Sequence, residues 1–447
     1  MSAQALSLLG ILLATALFIV AIFKGYHVTL VSIVAVVVVS VFSQLNIVTA
    51  MTDPYISKVA GVYKAYFLIF FLSALFAKIL GDTGAASSIA FKLARLAKMW
   101  KGHEKLGAVL CLGIIQACFT MGGISLFVVT FTVLYIAKDL FTELDVPWKL
   151  YTCASFGSST VTAGILPGTP QLTNLIPMKF FGTTATAAPV LSIVCSIFCL
   201  VLCFLWIRHQ VNASVKKGEG FAPSGDDLMK SWDSSKDAQR VELPLWMCLL
   251  PSIVLLICLN FVKIGAEASL AAGCIAGLIL FAINPETRSK INLKAESLTA
   301  VSNCNTAIVA LASAAGFGGV VAAVPGFQFI LGGLNNIPGP KVLQVIVAVN
   351  VAAGFSASSS TGLTLALGML GERFMAMGIP AAALHRLCSI SSLGLDTLPH
   401  SSALANTFSM CHLKYSESYI NNFMLSVVIT IATAVFCAIL ISCGLTF

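Results

Sequence analysis

Leu166-Pro167-Gly168-Thr169-Pro170-Gln171-Leu172-Thr173-Asn174 and Leu398-Pro399-His400-Ser401-Ser402-Ala403-Leu404-Ala405-Asn406 share Leu, Pro, a hydroxyl residue, Leu and Asn at one offset, 398 − 166 = 232. Each stretch sits between apolar runs. A proline removes a backbone donor and clashes with the preceding turn, and a glycine permits unwound backbone. Within hydrocarbon, freed N–H and C=O groups are tolerated only where they face a cavity or a ligand. The pair therefore predicts two helices broken at membrane depth around a wet chamber. Pro147 and Pro380 lie about 20 residues upstream of the two prolines and open the preceding helices.

The rest of the chain agrees with that setting. Of 447 residues, 58% are hydrophobic and 10% charged, and the mean hydropathy is +0.95. A soluble domain carries far more surface charge. Long apolar runs recur from 5–23 to 418–443, so the expected fold class is an all-α polytopic membrane protein with about 10–13 membrane segments. The internal match predicts two inverted-topology repeats with broken helices or re-entrant hairpins. The run 5–23 has no basic flank or evident cleavage site and reads as a retained first membrane helix.

The formal net charge is +8. Its lysines and arginines stand in short loops, which reads as topology, with basic loops on the cytoplasmic side, and not as nucleic-acid binding. Residues 92–105, the hydrophilic stretch 208–242, and Arg288, Lys290 and Lys294 are expected on that same side. The division is a first repeat half over 1–207, a cytoplasmic linker over 208–242 and a second half over 243–447. The 14 cysteines form no CxxC or Cys/His metal spacing, so no disulfide framework, metal or cofactor is implied.

A second internal pair is Phe119-Thr120-Met121-Gly122-Gly123-Ile124 and Gly316-Phe317-Gly318-Gly319-Val320. Its offset of 196 leaves 36 extra residues in the second half. Gly122, Gly123, Gly318 and Gly319 are candidate substrate-binding positions on this ground. In the breaks, Gly168, Thr169, Pro170, Gln171, Asn174, His400, Ser401 and Asn406 are candidates. Half-helix N-termini offer open donors suited to a carboxylate. The hydroxyl-rich stretch 356–362, with Ser358 and Ser359 as candidates, either lines the pore or packs helices closely.

Ionisable residues at membrane depth cost about 2.5–3.5 kcal/mol each on insertion scales and so mark function. Asp396 and His400, four residues apart around Pro399, are expected to form a proton-coupling pair or to brace the loop. His385 and Arg386 are expected to snorkel at the interface. Asp82 is expected to cap a helix starting at Thr83. Lys78 and Lys138 read as topological charges.

The segments FTMGGISLFVVTF (119–131), LPGTPQLTNLIPMKFFGTTATAAPVL (166–191), GFSASSSTGLTLAL (354–367) and GLDTLPHSSALANTFSMCHLKYSESY (394–419) resemble the gluconate permease family and its hydroxybutyrate-permease-like relatives, as does Gly-Asp-Thr-Gly-Ala-Ala at 81–86. The sequence departs at Ser401-Ser402, where such relatives carry Asn-Gly. The resemblance implies a secondary carrier of a small hydroxy- or amino-carboxylate, commonly proton-coupled, with inverted repeats and a homodimeric assembly. It would sit in the cell (inner or plasma) membrane and import gluconate, hydroxybutyrate or a related acid by alternating access. Sodium coupling, or a D-serine-like substrate, stays open, because unwound carbonyls with Ser, Thr and Asn also coordinate Na⁺. A channel would present rings of identical groups. An enzyme would present a catalytic motif such as HExxH or GxSxG, and none is found.

Overall fold

The computed structural model describes residues 2–121, 126–169, 171–231, 243–262, 264–333 and 338–447. Gly122, Gly123 and Pro170 lie outside them. Among the described residues every regular element is helical. Seven helices are long and apolar enough to cross a membrane: Ala3–Phe23, Ile47–Asp82, Glu104–Met121, Pro189–Lys216, Ala266–Ile283, Leu293–Ala323 and Tyr415–Ser442. Three shorter apolar helices, Val28–Phe42, Leu245–Ile257 and Lys341–Ser356, add to them. Helices satisfy their own backbone in hydrocarbon, so apolar side chains can face outward. Leu12, Val20, Ile197, Leu200, Ile275 and Ile279 are exposed in this way. The chain is a polytopic membrane protein.

The charged loops gather at one end of the bundle. Lys98 pairs with Glu143 at 3.2 Å and Lys105 with Asp145 at 3.5 Å. Lys92 donates to Leu243 O, and Asn284 lies against Met247. All three basic segments therefore share one end, as their charge pattern requires. The opposite end holds Ser7, Ser43 and Gly326, joined through the Ser7 hydroxyl.

The linker is shorter than its composition suggests. The helix Pro189–Lys216 runs through the first part of 208–242, because Trp206, Ile207 and Val211 extend its apolar face. Beyond it, the chain docks across both halves. Lys149 pairs with Glu219 at 2.6 Å, and the Phe221 N–H donates to Asp145 Oδ1 at 2.8 Å. The Phe221 ring lies 5.8 Å from Trp148, and Leu228 is buried. Asp227 pairs with Lys414 at 3.1 Å. The Lys414 ammonium, ahead of Lys230, holds the Asp227 carboxyl below its ordinary range.

Two hairpins enter from opposite ends. Glu104–Met121 and Leu126–Glu143 both have their outer ends at the linker end. Lys341–Ser356 and Ser359–Ala376 have theirs together at the far end, where Lys341 donates to Met377 O at 2.7 Å. Their inner ends correspond at 356 − 121 = 235 and 359 − 126 = 233, close to the offset of the breaks. This corrects the second internal pair. Gly316–Val320 lies inside the unbroken helix Leu293–Ala323. Those glycines serve close packing: a Cβ at Gly316 would meet the Tyr55 ring, and one at Gly319 would meet Pro54 O and Lys58.

Other charges also move from their expected places. Asp82 ends a helix and pairs with Lys78 at 2.5 Å; the next helix starts at Ala85 after Gly84. Lys78 and Lys138 are both buried. Lys138 pairs with Asp139 at 3.1 Å. Neutralised in pairs, these groups avoid the cost of a lone buried charge.

Candidate functional site

The two proline stretches are breaks, as their chemistry dictates. Tyr151–Gly164 stops and Leu172–Phe181 resumes. Ala381–Ser391 stops and Ser402–Met410 resumes. Pro147 and Pro380 precede the leading segments. In the first break Gly168 takes a φ of +80°, which a side chain would strain, and donates its N–H to Ala185 O at 2.9 Å. In the second, the Ser401 Oγ accepts from the Ala403 N–H at 3.3 Å and caps the resumed helix.

Each break is tied to a hairpin near its inner end. Gln171 Nε2 donates to Thr120 O at 2.9 Å. His400 Nε2 donates to Gly354 O at 2.9 Å. Thr120 Oγ1 and Thr162 Oγ1 lie 2.8 Å apart, joining the first hairpin to the helix before the break.

A cavity of about 800 Å³ opens where these parts meet. That is an ordinary size for a small-molecule site. Three resumed helices start on its wall: Leu172–Phe181 with Gln171 and Thr173, Ser359–Ala376 with Ser358–Thr361, and Ser402–Met410 with Ser401 and Ala403. Each N-terminus brings unpaired N–H groups and partial positive charge. Thr120, Ser159, Thr160, Thr397, Ser426 and Thr430 add hydroxyls, and Asp396 and Lys58 are the charged residues of the wall among those described. Lys58 and Ala266 stand toward the end away from the linker, so the cavity reaches that end.

Of the sequence candidates, Gln171, Gly318, Gly319, Ser358, Ser359, Asp396 and Ser401 line this cavity. The hydroxyl stretch contributes Ser356–Thr361 to this wall. Gly168, Thr169, Asn174, His400 and Asn406 are not on its wall. Asn406 is fully buried, and both its amide atoms lack a hydrogen-bond partner.

Asp396 and His400 do not pair. The His400 ring is wedged between Phe18 and Phe317, with centroids 6.2 and 6.1 Å away, and its Nε2 is taken by Gly354 O. The Ser359 hydroxyl approaches the Asp396 carboxylate instead. The four-residue spacing would align them on a helix, but residues 392–401 are not helical.

Arg386 is the largest departure. Its relative exposure is 0%, where interfacial snorkelling was expected. It donates from Nη1 to Gly164 O at 3.1 Å and Asn174 Oδ1 at 3.0 Å, and from Nη2 to Ala185 O at 3.2 Å and Ala187 O at 3.0 Å. His385 Nε2 reaches Asn174 Oδ1 at 3.0 Å, and Asn174 Nδ2 donates to Thr169 O at 2.8 Å and Ala185 O at 3.0 Å. Asn174 is thus consumed in holding the first break. The guanidinium stands where the helix Tyr151–Gly164 ends and satisfies its last carbonyl, the place a cation is most stabilising. A buried arginine bonded to four oxygens is a positioning residue. Its signal in the sequence was an arginine inside an apolar helix with no acid nearby.

No family model matches the chain. Over its length it is similar to an uncharacterized transporter of Bacillus subtilis (strain 168), YxjC. The identity is 28% over 477 aligned positions, covering 98% of this chain and 100% of that protein. Among solved structures, the YdaH transporter of Alcanivorax borkumensis matches 88% of this chain and 89% of its own, at 15% identity and a TM-score of 0.34. That likeness carries no argument about the site. The chain is a multi-pass membrane transporter; the gluconate permease likeness is a finer statement than these relatives carry.

Proposed function

We propose that this transporter is a proton-coupled symporter that imports a small hydroxy-carboxylate by alternating access. The observation that supports it most is the convergence of three helix N-termini on one hydroxyl-lined cavity whose wall holds one described carboxylate, Asp396. The N-termini around Gln171, Ser358 and Ser401 seat the substrate carboxylate, and the neighbouring serine and threonine hydroxyls bond its own hydroxyl groups.

Asp396 supplies the coupling. An anionic substrate beside an ionised Asp396 would meet like charge. Two unit charges about 4 Å apart repel by about 4 kcal/mol at an effective dielectric of 20, roughly a thousandfold in affinity. A proton on Asp396 removes that repulsion, so proton and substrate load together. His400 then has a holding role, fixing the second break to Gly354. Lys58, at the open mouth, steers anions inward. With the basic linker end in the cytoplasm, the cavity faces outward in this conformation.

The test is uptake into proteoliposomes with a panel of labelled carboxylates, including gluconate and hydroxybutyrate, with and without an inward proton gradient. Saturable, gradient-driven uptake of at least one acid is expected. Flux that rises linearly with substrate and ignores the gradient would overturn the reading.

A further inference from the structure

The two breaks answer the carbonyl ends of their leading helices differently. At the first, the Arg386 guanidinium covers Gly164 O. At the second, the last turn of Ala381–Ser391 has no cationic side chain among its described hydrogen-bond partners. The matching position of the first half, 386 − 232 = 154, is Ala154. The carbonyls of the helix end at the second break are met by neutral donors alone among the described residues, with the Leu393 N–H on Ile390 O, the Gly394 N–H on Ser391 O and the Ser392 hydroxyl on Ser389 O. No cation there offsets the partial negative charge of that helix end, and Asp396 adds a full one.

The surroundings of that end are oxygen-rich. The second break runs beside the helix Tyr415–Ser442, which widens there into a π-turn over Phe423–Val428. Such turns in α-helices are frequently functional. Thr397 Oγ1 lies 2.6 Å from Ser426 Oγ, and Ser426 Oγ lies 3.2 Å from Asn422 Oδ1. A Cβ at Gly394 would collide with Asn350 Oδ1 and come within 3.0 Å of the Ile431 side chain, so the break packs against the residue after Thr430. Asp396, Thr397, Ser426 and Thr430 all line the cavity.

Thr430 is the telling residue. Its exposure is 0%, and its Oγ1 has no hydrogen-bond partner. A helical threonine at membrane depth ordinarily donates back one turn, as Thr433 does to Ile429 O at 2.7 Å. Thr430 does not. Asp396 Oδ1 likewise has no partner.

We propose that Asp396, Thr397, Ser426 and Thr430 form a subsite for a sodium-sized monovalent cation at the base of the cavity. A sodium ion there takes the proton's place beside Asp396, so the proposal rests on the coupling role given to that carboxylate above. One carboxylate with neutral hydroxyls gives a single negative charge, which matches a monovalent ion; calcium sites gather several carboxylates. Oxygen-only ligands disfavour transition metals, which select imidazole and thiolate. Helix C-terminal ends and irregular backbone are the usual seats of coupling ions in carriers.

The probe is sodium itself. Purified full-length transporter in detergent, at about pH 8.5 and constant ionic strength, is melted as choline chloride is replaced by NaCl or KCl. The melting temperature rises and saturates with NaCl, and not with KCl or choline. At about pH 5.5 the NaCl midpoint moves upward, because protons compete for Asp396. Thr430→Val, which keeps the shape and loses the hydroxyl, shifts the midpoint at least tenfold upward; Thr430→Ser retains the response. Identical melting in NaCl and choline chloride at both pH values overturns the subsite, as does a Thr430→Val response at wild-type concentrations. Should Thr430→Val not fold, the wild-type salt comparison decides alone. Proton-driven uptake on the same preparation separates the claims. Intact uptake with no sodium response sinks only the subsite. A sodium response without proton-driven uptake sinks only the coupling reading.

Discussion

The first break and the second share their prolines, their leucines and a matching asparagine, yet they are finished in opposite ways. The first is filled from within: Arg386 reaches across from the other half and bonds Gly164, Asn174, Ala185 and Ala187. Among the described residues the second has no such arginine, and it keeps Asp396 on the cavity wall. On the proposed coupling, the matching stretches diverge into one part that stays fixed and one that exchanges its counter-charge. On that reading, internal symmetry points to the site and departure from it to the roles.

The largest effect falls on the exchanging break. Asp396→Asn, which mimics the protonated form, should reduce proton-driven uptake to background while leaving substrate exchange across liposomes without a gradient. Loss of both, or of neither, breaks the division of labour between the breaks.

Next comes the fixed break. Arg386→Gln strands buried carbonyls, each costing about 1–3 kcal/mol when unmet. A melting temperature lower by about 5 °C or more is expected, with Arg386→Lys intermediate because an ammonium cannot reproduce the planar fork. Melting unchanged from wild type would show that the guanidinium does not hold the loop.

Gln171→Ala sharpens the comparison on the first break's cavity side. Losing one neutral hydrogen bond, about 0.5–1.5 kcal/mol, should raise the apparent KM roughly threefold to tenfold and leave the pH profile in place. A smaller change is expected at His400. His400→Gln keeps a donor for Gly354 O, so the pH dependence of uptake should stay that of wild type; a shifted profile would return this imidazole to the proton path.

The smallest effect concerns the linker. The Asp227 carboxyl is held below its ordinary 3.8. Its contribution is therefore complete above that value and is lost as pH falls through the lowered one. Wild type should lose part of its melting temperature on acidification below about pH 4, and Asp227→Asn should lose less over that window.

Much of this architecture was legible because proline and glycine act locally. The breaks after Gly164 and after Ser391 follow from backbone groups that hydrocarbon cannot satisfy. Glycine also misled. Gly318-Gly319 mimics Gly122-Gly123 by composition, but Gly319 lets the helix Leu293–Ala323 approach Ile47–Asp82, and Gly318 lets it approach the end of Lys341–Ser356. The true counterpart, the stretch around Ala357, lacks a glycine pair. The place of Asp396 on the cavity wall is legible because a carboxylate in an apolar run is costly unless it faces a polar space. Its supposed partner was misassigned because spacing implies contact only where the backbone is helical. Arg386 was misread because its partners, three backbone carbonyls and the Asn174 amide oxygen, come from the other half and include no acid.

One wall of the chamber bears on how cargo travels. Along Leu293–Ala323 it presents Leu311, Ala315, Gly318, Gly319 and Ala322. These are small or aliphatic, without a side-chain donor or acceptor. On the proposed reading a solute inside finds no side-chain grip on that flank and is held instead by the hydroxyls and helix N-termini of the broken segments. Were those segments to shift under the proposed alternating access, their passenger would go with them, and the smooth flank would work as a rail that neither catches nor retains it.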